Sequence, residues 1–329
     1  MKAAYIEKPG PPETLVFAEL PDPTPGPGEV LVKVGAASVN PIDTYIRSGM
    51  IPMELPLPFV PGCDLAGEVE AVGAGVTRFE KGDRVWGSNQ GLLGRQGTCA
   101  EKAVVGEEWL YPTPNGVSDQ EAAAVSLVGI TAHLGLTKGQ LQPGETVFVN
   151  GGAGGVGSMV VQMAHAMGAR VLCSAGSDER VRACLALGGE AGVNYRTGDP
   201  GAWLAEEAST GVDLWWETTR EPDLGIAVTA LAENGRLILM AGREARPEFP
   251  IGPFYVKACQ AIGFVMFKEP ATSQRKTAEE INRWMAEGRL KARIDRELPL
   301  SEIAEAHRLQ EAATIGNAGG ISGKIVLIP

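Results

Sequence analysis

Apolar positions along this 329-residue chain follow two rhythms. Up to about residue 126 they fall in short runs at 1–6, 30–36, 66–72, 84–86 and 100–105, separated by long turns. Such runs between turn residues predict strands. Fourteen of the 23 prolines lie before residue 115. Each removes a backbone donor, which argues against a helix bundle. Residues 1–126 are therefore expected to form an irregular, mostly β domain.

The rhythm changes after Ser118. Residues 119–136 have a helical pattern, and Gln142, Pro143 and Gly144 make a turn. Thr146–Asn150 then reads as a buried strand running into glycines. The helix expected next carries Val156, Val160, Met163 and Met167 on one face. A strand at 170–174, a helix at 178–187 and apolar runs at Ala191–Asn194, Val212–Glu217, 236–241 and 261–267 follow. Strands alternating with helical patterns predict a parallel α/β sheet over about 127–266. Helices are expected again at 278–287 and 302–311, then a glycine-rich loop and a final strand, Lys324–Ile328. That strand is expected to rejoin the N-terminal β domain. The expected fold class is α/β, with a β-rich domain in two parts, 1–126 and 267–329, split around a doubly wound sheet at 127–266.

Composition narrows the partners. The net charge is −11 with acids dispersed, which disfavours nucleic acid, and no aromatic–basic repeat offsets this. The five cysteines, Cys63, Cys99, Cys173, Cys184 and Cys259, include no Cys-x-x-Cys pair. This is the pattern of reduced intracellular thiols and not of a disulfide framework or zinc ribbon. No signal-peptide pattern opens the chain, and no apolar stretch reaches the roughly 20 residues that span a bilayer. The expectation is a cytoplasmic protein without a membrane partner.

The glycines after Thr146–Asn150 carry the main chemical signal. Gly152, Gly154 and Gly157 form G-x-G-x-x-G between a strand and a helix, the setting in which the motif binds a dinucleotide. One glycine permits the tight turn, one lets the backbone approach the pyrophosphate, and one lets helix and sheet pack closely. Phosphates then sit on the helix N-terminus. NAD-binding relatives of this fold end the second strand with an acid that takes the ribose 2′-OH. Here that strand ends in Cys173 and Ser174, and Ser174-Ala175-Gly176-Ser177 reads as a small open loop whose hydroxyls and amides, Ser174 and Gly176 among them, are expected to bind the cofactor. Arg180 lies in the next turn and can pair with a 2′-phosphate. Asp178 suits a helix start after Ser177 as N-cap. The expected cofactor is NADPH.

Residues 40–49, NPIDTYIRSG, resemble the signature of the zeta-crystallin-like quinone oxidoreductases, zinc-free members of the medium-chain dehydrogenase/reductase superfamily. PGCDLAG at 61–67, KGDRV at 81–85, the loop at 151–157, NYR at 194–196, Gly235-Arg236 and GKIVL at 323–327 match as well, so the resemblance runs nearly end to end. It implies a GroES-like catalytic domain split around a Rossmann domain, with the nucleotide in a cleft between them. It also implies that Asn40 and Tyr45 line the cleft near the nicotinamide, where an amide and a phenol can hydrogen-bond an acceptor oxygen. By the same resemblance Thr131 and the amides of Gly155, Val156 and Gly157 meet the cofactor. Gly176, Arg180 and Tyr195 surround the 2′-phosphate, and Met240, Gly242 and Arg243 pass beside the nicotinamide. Ile51 departs from the pattern, since many relatives carry a second tyrosine there.

Zinc-dependent relatives carry a cysteine where this chain has Asn40 and His-Glu where it has Cys63-Asp64, and no four-cysteine lobe follows Trp86. His133, His165 and His307 have no ligand spacing. No metal is expected. The first functional expectation is an NADPH-dependent quinone reductase. The second is a reductase of activated C=C bonds in enones, alkenals or acyl thioesters, since the fold does not choose the acceptor. The third, a crystallin-like structural or RNA-binding role, is disfavoured for RNA by the acidic charge. The resemblance suggests a homodimer or homotetramer, paired through the edge run at 261–267.

Overall fold

A computed structural model describes residues 1–315 and 320–329, so the glycine-rich loop expected before the last strand lies partly outside the described residues. The chain forms two units, Met1–Leu127 with Glu269–Pro329, and Val128–Lys268.

The first unit opens with β1 (Lys2–Tyr5) and β2 (Val16–Glu19), an antiparallel pair. Next come β3 (Glu29–Val39), α1 (Pro41–Ser48), β4 (Asp64–Val72), β5 (Arg84–Gly87), β6 (Lys102–Gly106) and β7 (Leu110–Pro112). Helix α2 (Asp119–Lys138) crosses the division between the units. α1 was not evident from the apolar pattern. It starts because Pro41 at its first position needs no amide partner, and Asp43 accepts the Asn40 N–H at 2.8 Å. It stops at Gly49, whose φ of 80° is left-handed.

The second unit holds β8 (Thr146–Asn150), α3 (Gly155–Ala166), β9 (Arg170–Ala175), α4 (Asp178–Ala186), β10 (Ala191–Asn194) and α5 (Pro200–Glu207). It continues through β11 (Val212–Glu217), α6 (Leu224–Ala230), β12 (Leu231–Leu239), α7 (Ile251–Val256) and β13 (Gln260–Gly263). The strands make one parallel sheet in the order β10-β9-β8-β11-β12-β13. The apolar run at 261–267 is a strand only as far as Gly263, and residues Met266–Lys268 turn into a short 3-10 helix. Phe148, Leu172, Trp215 and Leu237, one from each of four strands, pack in a core cluster with Leu204 and Leu231.

The chain then returns to the first unit with α8 (Ala271–Ala286), β14 (Ile294–Pro299), α9 (Ile303–Thr314) and β15 (Lys324–Ile328). β15 pairs antiparallel with β3, which confirms that the last strand rejoins the N-terminal domain. The main sheet of this unit runs β14-β15-β3-β4-β5-β7, and β6 also pairs with β3. Its core joins Val32, Leu65, Val85 and Leu110 to Ile303, Ile325 and Leu327.

His307 on α9 is fully buried, and neither ring nitrogen has a hydrogen-bond partner among the described residues. Burial, with the Arg47 guanidinium adding to it, holds its pKa down at about 3 against an ordinary 6.5. The unfolded chain therefore binds a proton below pH 6.5 that the fold rejects until pH 3, so stability is lost as pH falls through that window. The stability gain of His307→Leu over the parent chain should grow by about 2 kcal/mol between pH 6.5 and pH 5, since each unit of unmatched titration is worth about 1.4 kcal/mol. Urea unfolding at the two pH values measures it, and a constant difference would mean that His307 protonates within the fold.

Candidate functional site

In the second unit β8 lies at the centre, the chain moves to one side through β9 and β10, and then crosses to β11 on the other side. The C-terminal ends of β8 and β11 therefore diverge at a topological switch point, where open α/β sheets bind ligands. Asn150 and Glu217 close these two strands. The buried Glu217 carboxylate accepts from Asn150 Nδ2 at 3.0 and 2.9 Å, Trp215 Nε1 at 3.1 Å, and the Thr219 amide and hydroxyl at 2.7 and 2.6 Å. With all its donors inside the fold, Glu217 fixes the mouth of the crevice and is not itself a reacting group.

The glycine loop starts from this anchor. Gly151 has φ of 83°, and a Cβ there would lie 2.3 Å from the Thr218 hydroxyl. A Cβ on Gly157 would lie 2.2 Å from the Gly151 carbonyl oxygen and 2.9 Å from Gly152 Cα, so helix and loop approach as only glycine allows. Gly152 is buried beneath, its amide donating to the Ser174 carbonyl at 2.9 Å. Gly154 is exposed at the N-cap of α3 with no side-chain cap. The amides of Gly155, Val156 and Gly157 thus form the first turn of α3, where N–H groups lack partners within the helix. This is a cradle of backbone donors shaped for a pyrophosphate.

The end of β9 departs from expectation at one residue. Ser174 was expected to face the cofactor, but it is buried: its hydroxyl donates to Asn150 Oδ1 at 2.5 Å and accepts the Gly151 amide at 3.1 Å. It braces the loop from behind. Ser177 caps α4 and accepts the Arg180 amide at 3.3 Å. Asp178 accepts from Asn194 Nδ2 at 2.7 Å, so it ties α4 to β10. Tyr195, 41% exposed, leans over Gly176, where a Cβ would lie 2.7 Å from the Tyr195 hydroxyl. The same point is 3.4 Å from Arg196 Nε. Arg196 was not among the expected ligands, although a second arginine at the end of the third strand was a visible signal. The structure thus gathers Gly176, Tyr195 and Arg196, with Arg180 in the first turn of the adjoining α4. Thr131 is buried on α2, Met240 follows β12, Gly242 turns with φ of 74°, and Arg243 is exposed.

A polar cluster lies buried in the first unit. Asn40 was expected to offer its amide to a substrate, and here the structure corrects the reading. Asn40 is fully buried, its Nδ2 donates to Asp64 Oδ2 at 2.7 Å, and its Oδ1 accepts from the Lys324 ammonium. Ser38 and Ser88 hydroxyls donate to Asp64 at 2.9 and 2.7 Å, and Lys324 Nζ lies 3.8 Å from it while donating to the Val39 carbonyl at 2.9 Å. Asn40 therefore pins the start of α1, the helix that carries the half-buried Tyr45. Burial raises the Asp43 carboxyl to about 6; the Cys63 thiol, the Asn40 amide and Lys324 restrain the rise, while Asp64 adds to it.

The cluster does not suit zinc. Both Asp64 oxygens are occupied, an ammonium already stands beside them, and burial pushes the Cys63 thiol well up, away from the thiolate a metal needs. No group of three His, Cys, Asp or Glu side chains placed to hold a metal occurs among the described residues. None of the described helices is long and apolar enough to cross a membrane.

Comparison with known proteins agrees with this architecture. The alcohol dehydrogenase GroES-like domain model matches residues 26–115, and the zinc-binding dehydrogenase model matches residues 155–287. The chain is 31% identical to Homo sapiens quinone oxidoreductase over 334 residues, covering 100% of this chain and 98% of that protein. It is 30% identical to 2-methylene-furan-3-one reductase of Solanum lycopersicum over 307 residues, covering 92% of this chain and 72% of that protein. The crystal structure of Escherichia coli quinone oxidoreductase complexed with NADPH matches with a TM-score of 0.86 at 25% identity, over 100% of both chains. With a GroES-like domain split around a Rossmann sheet and full-length similarity to such an enzyme, the chain belongs to the quinone oxidoreductases of the medium-chain dehydrogenase/reductase superfamily.

Proposed function

We propose that the chain is an NADPH-dependent, zinc-independent reductase that passes reducing equivalents directly from the nicotinamide to a quinone. One observation carries the reading: a glycine cradle lies at the switch point, and the neighbouring strand ends offer Gly176, Tyr195 and Arg196 in place of the acid that would select NAD. The amides of Gly155, Val156 and Gly157 hold the pyrophosphate. Arg180, Tyr195 and Arg196 hold the 2′-phosphate, and Thr131, Met240, Gly242 and Arg243 border the rest of the cofactor. NADPH supplies the reducing equivalents, and the protein supplies position and electrostatics. Tyr45 hydrogen-bonds the acceptor oxygen as charge develops there, and Asn40 acts only through α1. The likeness to an Escherichia coli enzyme seen with NADPH supports the cofactor choice. The five buried free cysteines suit a reducing cytoplasm.

A second reading, reduction of an activated C=C bond, draws on the likeness to 2-methylene-furan-3-one reductase and on Ile51 in place of a second tyrosine. Purified, chelator-treated protein should oxidise NADPH with para-benzoquinone at least tenfold faster than with a crotonyl-type enone. The reverse preference would replace the quinone by the alkene as substrate class.

The working unit in this proposal is a homodimer or homotetramer. β13 is a sheet edge, and Ile251, Tyr255 and Val256 beside it are 68%, 69% and 72% exposed. Apolar edges of this kind pair with a second copy. Sedimentation at micromolar concentration should give at least twice the 34.6 kDa chain mass, and Tyr255→Asp with Val256→Asp should give monomers. A monomeric parent chain would overturn this arrangement.

A further inference from the structure

We propose that the first unit carries a second ligand site, for the phosphate or carboxylate group of a small molecule, in the cavity between β7 and α8. The cavity has a volume of about 610 Å³ and is lined by residues of this unit alone, among them Arg78, Tyr111, Thr113 and Arg275. It shares no residue with the glycine loop or the Asp64 cluster.

Three of the residues that line it carry a buried donor atom without a partner among the described residues. Tyr111 is 1% exposed and its ring packs on Trp86 at 4.8 Å between centroids, yet its hydroxyl has no hydrogen-bond partner among the described residues. The same holds for the Thr113 hydroxyl and Arg275 Nε. Buried donors are almost always satisfied, so three orphans on one cavity point to a partner from outside the chain.

The charges say which kind of partner. The Arg78 guanidinium donates to the carbonyls of Glu107 and Leu110, the Glu107 carboxylate accepts the Arg78 amide at 3.0 Å, and no ion pair joins the side chain of Arg78 or Arg275 to a carboxylate among the described residues. Burial lowers the Arg78 pKa and the Arg275 charge lowers it further, against an opposing pull from Glu107, Tyr111 and Glu108. Burial raises the Tyr111 pKa and Glu108 adds to the rise, while Arg78 and Arg275 both pull it back, so both cations and one acid act on the orphan hydroxyl. A third arginine, Arg84, is paired with Asp119. Of the acids that line the cavity, Asp83 accepts the Glu80 amide at 2.9 Å, and Glu279 is exposed at the rim. A water molecule satisfies a hydroxyl but leaves the repulsion between guanidiniums in place. An oxyanion takes the O–H and N–H donors and neutralises the arginines in one step.

The test titrates inorganic phosphate, and separately citrate, into the full chain by calorimetry at constant ionic strength set with sodium chloride. Saturable binding with Kd on the order of 1 mM or tighter is expected. Arg275→Met should weaken it about tenfold and Tyr111→Phe a few-fold, as loss of a charge-assisted and a neutral hydrogen bond respectively. Neither side chain makes a hydrogen bond among the described residues, so both variants should melt no lower than the parent chain. Saturating NADPH, which fills the phosphate-binding positions proposed for the other unit, should leave this binding unchanged. Tighter phosphate binding marks a phosphorylated ligand and tighter citrate binding a carboxylate, and either supports the site. No saturable heat, or binding that Arg275→Met leaves untouched, would overturn it.

Discussion

Lys324→Met should lose about 3–5 kcal/mol of stability, the cost of leaving a buried ion without its partner. Lys324 is 5% exposed and stands 3.8 Å from Asp64, while its ammonium also donates to the Val39 carbonyl and Asn40 Oδ1. Burial lowers its pKa, and Asp64, Asp43 and Cys63, in that order, pull it back up, with Asp64 the main counter-charge. Methionine fills similar space but removes the charge. Asp64 must then take a proton or remain ionised without compensation, and its pKa is already raised by burial. The loss should appear as a lower urea midpoint by circular dichroism, with faster hydrogen exchange in β3 and β15 placing it in the first unit. Adding Asp64→Asn should recover more than half of it, because a neutral pair needs no counter-charge. A loss below 1 kcal/mol in the single variant would mean that the cluster is already solvated.

Arg180→Glu should cut kcat/KM for NADPH by roughly 100-fold while changing that for NADH less than threefold. A hydrogen bond to a charged group contributes about 1.5–3 kcal/mol, and a carboxylate facing the 2′-phosphate adds repulsion of similar size. The selectivity follows from position: Arg180 lies in the first turn of α4 beside Ser177, near the Gly176 backbone over which Tyr195 and Arg196 lean. Arg180→Ala alone should lose nearer tenfold, since Tyr195 and Arg196 remain to share the phosphate. Equal losses for both nucleotides would move the 2′-phosphate away from Arg180.

Much of the second unit was legible in the chain because a parallel sheet buries its strands on both faces. Thr146–Asn150, Ala191–Asn194 and Val212–Glu217 are mostly apolar runs, and the structure places strands on those same residues. β2, β7 and β14 were not foreseen. They are four, three and six residues long, and β14 has a polar, partly exposed sequence, IDRELP, that takes its register from β15 and has no apolar face of its own. The glycine loop between β8 and α3 was legible because glycine spacing is local. The Asn40–Asp64–Lys324 cluster was not, because Asp64 and Lys324 lie 24 and 284 residues from Asn40 and no spacing in the chain pairs the three. Ser174 misled for the same reason: a hydroxyl at a strand end faces either the ligand or the loop behind it, and only the Asn150 side chain decides which. Arg78, Tyr111 and Arg275 also meet only in the fold.

The most direct measurement is steady-state oxidation of NADPH and of NADH with para-benzoquinone by protein stripped of metal with a strong chelator. A nicotinamide reductase reading the 2′-phosphate at Arg180, Tyr195 and Arg196 should keep full activity without metal and prefer NADPH by roughly 100-fold or more in kcat/KM. Activity that disappears on chelation and returns with zinc, or a preference for NADH, would contradict it.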